Sequence, residues 1–364
     1  MDLFRFSNGD VNLLYGEPVS NYDSIMWIER YKEAGEFTLT AKLSSGIIGL
    51  LPLGSILSHA KTYEACIVEN IEISESASAD PMVKITGRSL LSYLEHRIVG
   101  LGWAEVETPT VPYTQYELSA NGVSYQIQTL INQHISELDS YLVCQNGATG
   151  SSSGTVRIIK RQSVYKAVLD LLGLEDLGIR VVRRNSDGAF ESTSLTKSLF
   201  YIHSGNDLTN SVIFSWDYGE LESASYLFSI KNYKNVALVQ GKYVEAVVYD
   251  SPISEEPYDK RVMLVNASDI DEALTTVPTG TELADIIAAM GTRGREALAN
   301  QRILDISNVD LSKTTSYKYR TDYDIGDIVS ISGNYGIIEP RRVIEFVEIE
   351  DENGETGYPT LSVL

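Results

Sequence analysis

Two short stretches decide how this chain is read: Leu53-Gly54-Ser55-Ile56-Leu57-Ser58 and Ile325-Gly326-Asp327-Ile328-Val329-Ser330. They share three identities and two conservative changes, at an offset of 326 − 54, or 272 residues. After a short irregular stretch each is followed by a similar run, Ile67–Ile73 (IVENIEI) and Val343–Ile349 (VIEFVEI). A glycine ahead of a β-branched run marks a bend leading into a strand. Six-residue β matches also arise by chance. The other reading is two copies of one barrel, each with a Gly-led strand in the same place.

Around the first copy the chain reads as β structure. Leu3–Ser7 and Val11–Tyr15 flank Asn8-Gly9, a hairpin pair that supplies positive φ. Glu36–Leu43 alternates, with Phe37, Leu39 and Ala41 on one face. Glu64–Ser74 places Ile67, Ile71 and Ile73 together, with Cys66 and Val68 blurring the pattern. Met82–Thr86 is a further strand, and Ser89 is placed to cap a short helix through about Arg97 with Leu90, Leu91 and Leu94 inward. Short strands at this spacing predict a barrel or a sandwich.

The character changes after about Gly102. Ile127, Leu130, Ile131, Ile135, Leu138 and Leu142 fall on one helical stripe, and Cys144–Gly154 reads as a Gly/Ser loop. Ser163 opens a helix with Val164, Val168, Leu171 and Leu172 inward and Gly173 at its end. Strands at Ile179–Arg183 and Leu199–His203 bracket Asp187-Gly188, so this stretch is α+β. Strands resume at Val212–Trp216, Tyr226–Ile230, Val236–Gln240 and Tyr243–Tyr249, and Ser251–Pro257 breaks them. A short helix is expected over Asp269–Leu274 with Ser268 and Asp271 as a reciprocal cap. A longer one starts at Thr281 with Leu283, Ile286, Ile287 and Met290, breaks at Gly291 and Gly294, and resumes through Leu298. Strands return at Ile325–Ser332, Gly336–Ile338 and Arg342–Glu350, and Asn353-Gly354 turns the last hairpin into Thr360–Leu364.

Length and charge bound the function. At roughly 150 residues per domain, 364 residues predict two or three domains. With 29 basic and 50 acidic residues the formal charge is −21, which argues against a broad phosphate-binding surface. No run approaches the length of a membrane helix, no basic amphipathic stretch suits anionic lipid, and the amino terminus is not a secretory signal. Two cysteines, Cys66 and Cys144, fit folding in a reducing compartment. The expectation is a soluble protein made in the cytoplasm.

Signals for chemistry are weak. His59, His96, His134 and His203 are scattered, and with two cysteines they build no zinc cluster of the usual spacing. There is no H-E-x-x-H, Gly-x-Ser-x-Gly, C-x-x-C or phosphate loop; Gly291-Thr-Arg-Gly-Arg reads as a helix break. The densest acids, Asp269/Asp271/Glu272 and Asp351/Glu352/Glu355, read as a helix start and a hairpin and lack calcium-loop spacing. His134 is expected on a solvated helix face and Cys66 as a small buried hydrophobe. The 22 tyrosines invite a carbohydrate platform, but Tyr is also a common strand and interface residue. No catalytic residue, cofactor or metal ligand is assigned.

Several short motifs in order carry a resemblance. Trp27-x-Glu29-Arg30-Tyr31 runs into Gly35-Glu36-Phe37-x-Leu39; then come Leu53–Ser58, Val68-Glu69-Asn70 and Gly87-Arg88-Ser89-Leu90-Leu91, and finally Tyr323-Asp324-Ile325-Gly326-Asp327-Ile328-Val329. The series resembles the hub-protein family of siphophage tail tips (the tail-associated protein's amino-terminal region), which is similar to the baseplate hub of contractile-tailed phages. The resemblance implies a mainly β fold with α+β parts. Its parts would be a first barrel (1–105), an α+β domain (106–205), a second barrel (206–250 and 303–364) and a small helical insertion (251–302). It implies a non-enzymatic homotrimer whose paired barrels make a pseudo-sixfold ring joining a hexameric tail tube to a threefold tip. Expected partners are the distal tail or tube protein, the tape measure protein and fibre, spike or tip proteins, with DNA only in passage. The site is the virion tail tip, after assembly in the host cytoplasm. Larger family members append a peptidoglycan hydrolase or a receptor-binding region, and the end of this chain soon after the second barrel argues against both. A receptor- or carbohydrate-binding tip protein and a wall-degrading enzyme are the alternatives. Trp27, Arg30, Gly35, Glu36, Phe37, Gly54, Gly87, Arg88, Ser89, Gly326 and Asp327 are motif residues, structural or interfacial. Arg88 has two readings, a pair across a subunit boundary or within the chain.

Overall fold

The computed structural model describes residues 2–6, 17–59, 61–62, 64–101, 116–135, 142–145, 155–184, 197–229, 231, 233–249, 259–271, 274–299, 304–311, 316–333 and 338–363. The chain forms two compact units: 1–222 with 310–362, and 223–309. The Asn8-Gly9 and Asp187-Gly188 turns, the Val11–Tyr15 strand, residues 146–154 of the Cys144–Gly154 loop (whose first two residues end a strand), the 251–257 break, Leu138, Glu272 and Gly336 lie outside the described residues.

The first part of unit 1 runs β1 (Leu3–Phe6), β2 (Glu17–Val19), β3 (Ser24–Arg30), β4 (Glu36–Lys42), a short α1 (Ile47–Leu50), β5 (Ile56–His59), β6 (Ala65–Ser76) and β7 (Ala79–Ser89). Next come β8 (Tyr116–Asn121), α2 (Val123–His134), β9 (Leu142–Gln145), β10 (Thr155–Ile159), α3 (Val164–Leu172), β11 (Gly178–Arg184), β12 (Lys197–His203) and β13 (Ile213–Ser215). A ribbon of β14 (Leu221–Ser229) and β18 (Leu304–Leu311) opens and closes the stretch that contains β15 (Val236–Gln240), β16 (Glu245–Tyr249), β17 (Val262–Asn266) and α4 (Gly280–Ala299). The chain ends with β19 (Ile328–Ser332), β20 (Ile338–Asp351) and β21 (Gly354–Val363).

Most of the strands expected in two barrels lie in one open eleven-stranded sheet, ordered β13-β19-β20-β3-β4-β7-β6-β5-β1-β2 with β21 also on β20, whereas those expected at 226–249 fall in the separate β14-β18 and β16-β15-β17 sheets. No described sheet closes into a barrel. The join is β20. The peptide groups of Val343 pair with Gly326 and Asp327, whereas the carbonyl of Ile344 accepts from Tyr31 N at 2.8 Å. Successive strand residues point their hydrogen-bonding groups to opposite edges, so β20 holds β19 on one edge and the β3 end of the amino-terminal sheet on the other.

The Gly-led repeat is present in the hydrogen bonds. Gly54 (φ +81°) donates to Val68 O, and Val68 N to Ser55 O, both at 2.8 Å. Gly326 (φ +96°) donates to Val343 O at 2.8 Å, and Val343 N to Asp327 O at 2.9 Å. Both glycines hold a left-handed conformation that other residues rarely adopt, and both lead into an antiparallel pair, β5–β6 and β19–β20. The bonds make Val68 the counterpart of Val343, one residue out of step with the sequence match of Ile67 to Val343.

Alternation places the core of the amino-terminal sheet. Phe37, Leu39 and Ala41 are buried, with Ile25 and Trp27 of β3 and Val83 and Ile85 of β7. On β6 the expected inward face holds for only part of the strand: Cys66 and Val68 are buried in place of Ile67, while Ile71 and Ile73 pair with buried Ile85 and Val83, with Ile73 half exposed. A register shift between Val68 and Asn70 separates the two parts, since a bulge switches the inward set from Cys66 and Val68 to Ile71 and Ile73. Ser89 starts a 3-10 helix (Leu90–His96), not an α-helix, and its side chain makes no cap; Leu90, Leu91 and Leu94 are buried as expected.

A second core joins α2 and α3 to the sheet β11-β12-β9. The side chain of Ser163 accepts from Lys166 N and Gly173 ends α3. The α2 stripe ends sooner than its periodicity suggests: Leu142 belongs to strand β9. His134 is buried rather than solvated. Its Nε2 accepts from Gly100 N at 2.8 Å while Nδ1 faces Leu130 O at 2.7 Å, the tautomer those partners require.

Unit 2 packs α4 on the sheet β16-β15-β17 through Ile286, Met290 and Leu298. The helix does not break at Gly291 or Gly294. A Cβ on Gly294 would come within 2.6 Å of the Val248 side chain, so this glycine serves close approach of helix and sheet. Residues 268–271 form a turn, not a capped helix, because the Asp271 carboxylate instead accepts the N–H groups of Lys242, Tyr243 and Val244 at 2.7, 2.7 and 3.2 Å. No helix among the described residues is long and apolar enough to cross a membrane.

Candidate functional site

Buried charge in unit 1 concentrates where the end of β3 meets residues 176–184 and 197–206 and residues 319–327 with 342. Tyr31 is the pivot. Its N–H bonds β20, its carbonyl accepts from Ile179 N at 2.8 Å, and its hydroxyl donates to Asp176 O at 2.8 Å. Burial pushes the phenol up to about 12. A Cβ on Gly178 would approach the ring to 2.1 Å, and one on Gly326 to 2.6 Å, so both glycines are needed for this packing. The Arg342 guanidinium lies 5.0 Å from the ring centroid. Its Nη1 donates to the carbonyls of Gly326 and Ser204, both at 2.6 Å, and its Nη2 pairs with Asp176 at 2.8 Å. Burial alone would raise the Asp176 carboxyl, but Lys32 and Arg342 outweigh it and hold the group below the usual range.

A second set of pairs lies alongside. Arg180 makes a two-pronged contact with Asp324 at 3.1 and 2.9 Å. Glu29 accepts from the Tyr319 hydroxyl at 2.5 Å and from Arg320 at 2.9 Å. Burial and then the neighbouring Glu29 push the Glu64 carboxyl well up, toward its protonated form. Burial and then Arg180 hold His203 down at about 3, so its ring is neutral between Tyr31 and Tyr201. Asp327 closes the set, taking Asn206 N on one oxygen and Asp324 N on the other, both at 2.7 Å. These contacts join segments distant in sequence, and the opposite charges pair with one another, so the arrangement is a weld between them.

The motif residues fall into three places. Trp27, Phe37 and Gly87 are cross-strand neighbours on β3, β4 and β7, with the Trp27 and Phe37 rings stacked at 5.9 Å. A Cβ on Gly87 would meet Ile67 O at 1.8 Å, and one on Gly35 would meet Ile28 O at 2.4 Å. Arg30 links Glu36 at 2.7 Å to Glu345 of β20 at 2.8 Å. Arg88 pairs with Glu69 and Glu95 of its own chain, and Ser89 N donates to Gly35 O at 2.7 Å. Gly326 and Asp327 lie in the weld, whereas Gly54 occupies the equivalent turn of the amino-terminal sheet. Sequence reasoning missed Arg180 and Arg342. The signal available was a lone arginine set in the apolar run Ile179–Val182, and a pair before Val343.

Three residues of metal-binding type meet elsewhere in unit 1. Ligand atoms of His59 (β5), Glu348 (β20) and Glu355 (β21) lie within 4.8 Å of one another. Burial, then the charges of Arg320 and Lys61, hold the His59 ring neutral, with a pKa down at about 3. The acid groups singled out from sequence have structural partners: Asp269 pairs with Arg293 at 3.1 Å, and Asp351 accepts Asn353 N at 2.7 Å in the hairpin. A concavity on α2 is lined by Tyr125, Gln128, Thr129, Asn132 and Gln133, and none of these is a carboxylate or thiol.

No curated protein matches this sequence. Solved structures match its fold over almost the full length. The 43 kDa tail protein of prophage MuSo2 from Shewanella oneidensis is 9% identical with a TM-score of 0.57, covering 100% of this chain and 96% of that one. A tail protein from Neisseria meningitidis MC58 is 12% identical at 0.58, covering 99% and 95%. Prophage tail protein gp18 from Listeria monocytogenes EGD-e is 10% identical at 0.53, covering 99% and 94%. At such identities the likeness is one of fold. With the order of its motifs and a match over residues 3–361, the chain belongs to the family described as Siphovirus ReqiPepy6 Gp37-like protein.

Proposed function

We propose that this chain is a structural hub of a phage tail, with three copies forming a ring between the tail tube and the tip. The observation that carries the reading is the repeated glycine turn, Gly54 with Val68 and Gly326 with Val343. A chain holding two copies of one module gives six modules per trimer, and so suits a sixfold tube on one side and a threefold tip on the other. Support comes from the family and from a fold shared with proteins named as tail proteins. In this reading the parts are 1–105, 106–205, 206–250 with 303–364, and 251–302, and the two modules close as barrels.

The ring would contact the distal tail or tube protein, the tape measure protein and the fibre, spike or tip proteins, and DNA would pass through its lumen. A net charge of −21 suits a wall that repels DNA instead of holding it. The protein acts in the virion and performs no catalysis. The test is the mass of the purified full chain by light scattering, with electron microscopy of assembled particles. A trimer and a ring with an acidic lumen are expected. Monomer in solution and no ring in particles would overturn the hub, and a basic lumen would overturn the DNA-repelling wall alone.

A further inference from the structure

We propose that His59, Glu348 and Glu355 bind a divalent transition-metal cation, best matched by zinc, which clasps β5 to the β20–β21 hairpin. The set offers one imidazole nitrogen and two carboxylate oxygens, a combination zinc accepts readily. The three residues come from strands far apart in sequence, so no spacing motif announces them. Their ligand atoms nevertheless fall within 4.8 Å of one another.

Burial and geometry support the site. The His59 side chain is fully buried against Trp27, with ring centroids 6.1 Å apart, and the Glu348 side chain is 10% exposed. Glu348 Oε2 lies 3.7 Å from His59 Nδ1 and has no hydrogen-bond donor of its own, so a buried carboxylate oxygen points at the imidazole while the Glu348 carboxyl group leans on Glu355. Ligand atoms about 2.0–2.2 Å from a tetrahedral zinc sit roughly 3.4 Å apart, so His59 and Glu348 need only a small adjustment. Glu355 supplies the third ligand and the way in, since its side chain is 36% exposed. Its present partners are Lys61 at 2.6 Å, a 58%-exposed lysine whose surface pair is easily exchanged for a cation, and the Glu348 carboxyl, with which it shares a hydrogen bond that the cation would replace. Two carboxylates balance the charge of a divalent ion, and solvent takes the fourth position.

The experiment is calorimetric titration of ZnCl2 into the metal-stripped full chain, with thermal melting and a parallel Co2+ titration read by visible absorption. One zinc per chain, a raised Tm and the strong d–d bands of tetrahedral cobalt are expected. Glu348→Gln and Glu355→Gln should each weaken zinc at least tenfold and remove the Tm rise. Glu355 lies on an exposed hairpin, so its variant carries the test if Glu348→Gln fails to fold. No zinc uptake at millimolar concentration, or affinity unchanged in Glu355→Gln, overturns the proposal.

Discussion

Replacing Arg342 tests whether the weld around Tyr31 holds unit 1 together. Arg342→Ala removes both donors to Gly326 O and Ser204 O, the stacking on Tyr31 and the pair with Asp176. A buried carbonyl left without a donor costs about 1–3 kcal/mol. The Gly326 carbonyl bond is buried and takes that cost in full; the Ser204 bond is part-buried and takes less. Lost stacking adds about 0.5–2 kcal/mol. Asp176 is half exposed, so its share is under about 1 kcal/mol. Because these contacts are not independent, the expected total is about 3–5 kcal/mol, the range for breaking one partner of a buried pair. Arg342→Lys keeps the charge but loses the planar fork, and should cost about half as much. Lys32→Ala, which removes an exposed partner of Asp176 and a distant ammonium contact with the Tyr31 ring, should cost less than about 1 kcal/mol. Urea unfolding read by tryptophan fluorescence isolates the effect, because Trp27, Trp103 and Trp216 all lie in the 1–222 stretch of unit 1. A loss for Arg342→Ala no greater than that for Lys32→Ala would refute the reasoning.

Two further outcomes follow from the same geometry. Gly87→Ala forces a methyl into the Ile67 carbonyl and should cost at least about 3 kcal/mol, seen as a large drop in melting temperature; a wild-type melt would contradict the packing described. For pH, His203 is protonated in the unfolded chain below 6.5 but in the folded chain only below about 3, so it removes stability as pH falls through that window. Glu64 acts in the opposite direction. Its folded carboxyl keeps a proton that the unfolded chain releases above 4.5, so stability is lost as pH rises from there toward the raised folded value, at up to about 1.4 kcal/mol per pH unit. Glu64→Gln should therefore gain on the wild type as pH rises above 4.5, measured as urea midpoints across pH. Parallel curves would show that Glu64 does not ionise differently on folding.

Local patterns were legible wherever one surface decides the structure. The alternation around Phe37, the cap and stop of α3 at Ser163 and Gly173, and the Asn353-Gly354 hairpin all follow from neighbours within a few residues. The Gly-led repeat was legible because positive φ restricts residue choice at Gly54 and Gly326. Failures came where a long-range contact reversed a local preference. Gly294 reads as a helix break until Val248 and Val239 are placed beneath it, and the β6 face inverts at a bulge that only the partner strand β7 reveals. The weld was invisible for a related reason. Glu29, Arg180, Asp324 and Arg342 belong to separate strands and loops, and no periodicity connects them until the sheet has formed.

The position of β20 has a consequence for synthesis. Its residues 345–350 cover the edge of β3 at residues 25–30. A ribosome releases β3 more than three hundred residues before its partner, so the amino-terminal sheet emerges with one edge bare for most of translation. Bare edges template pairing with other chains, and contacts this distant in sequence form slowly. Folding of the first half is thus hostage to the last, and neighbouring nascent copies have a ready site for exchanging β20. A chain cut short before residue 338 would leave that edge open for good, which makes the terminal hairpin a checkpoint for completeness as much as a piece of the sheet.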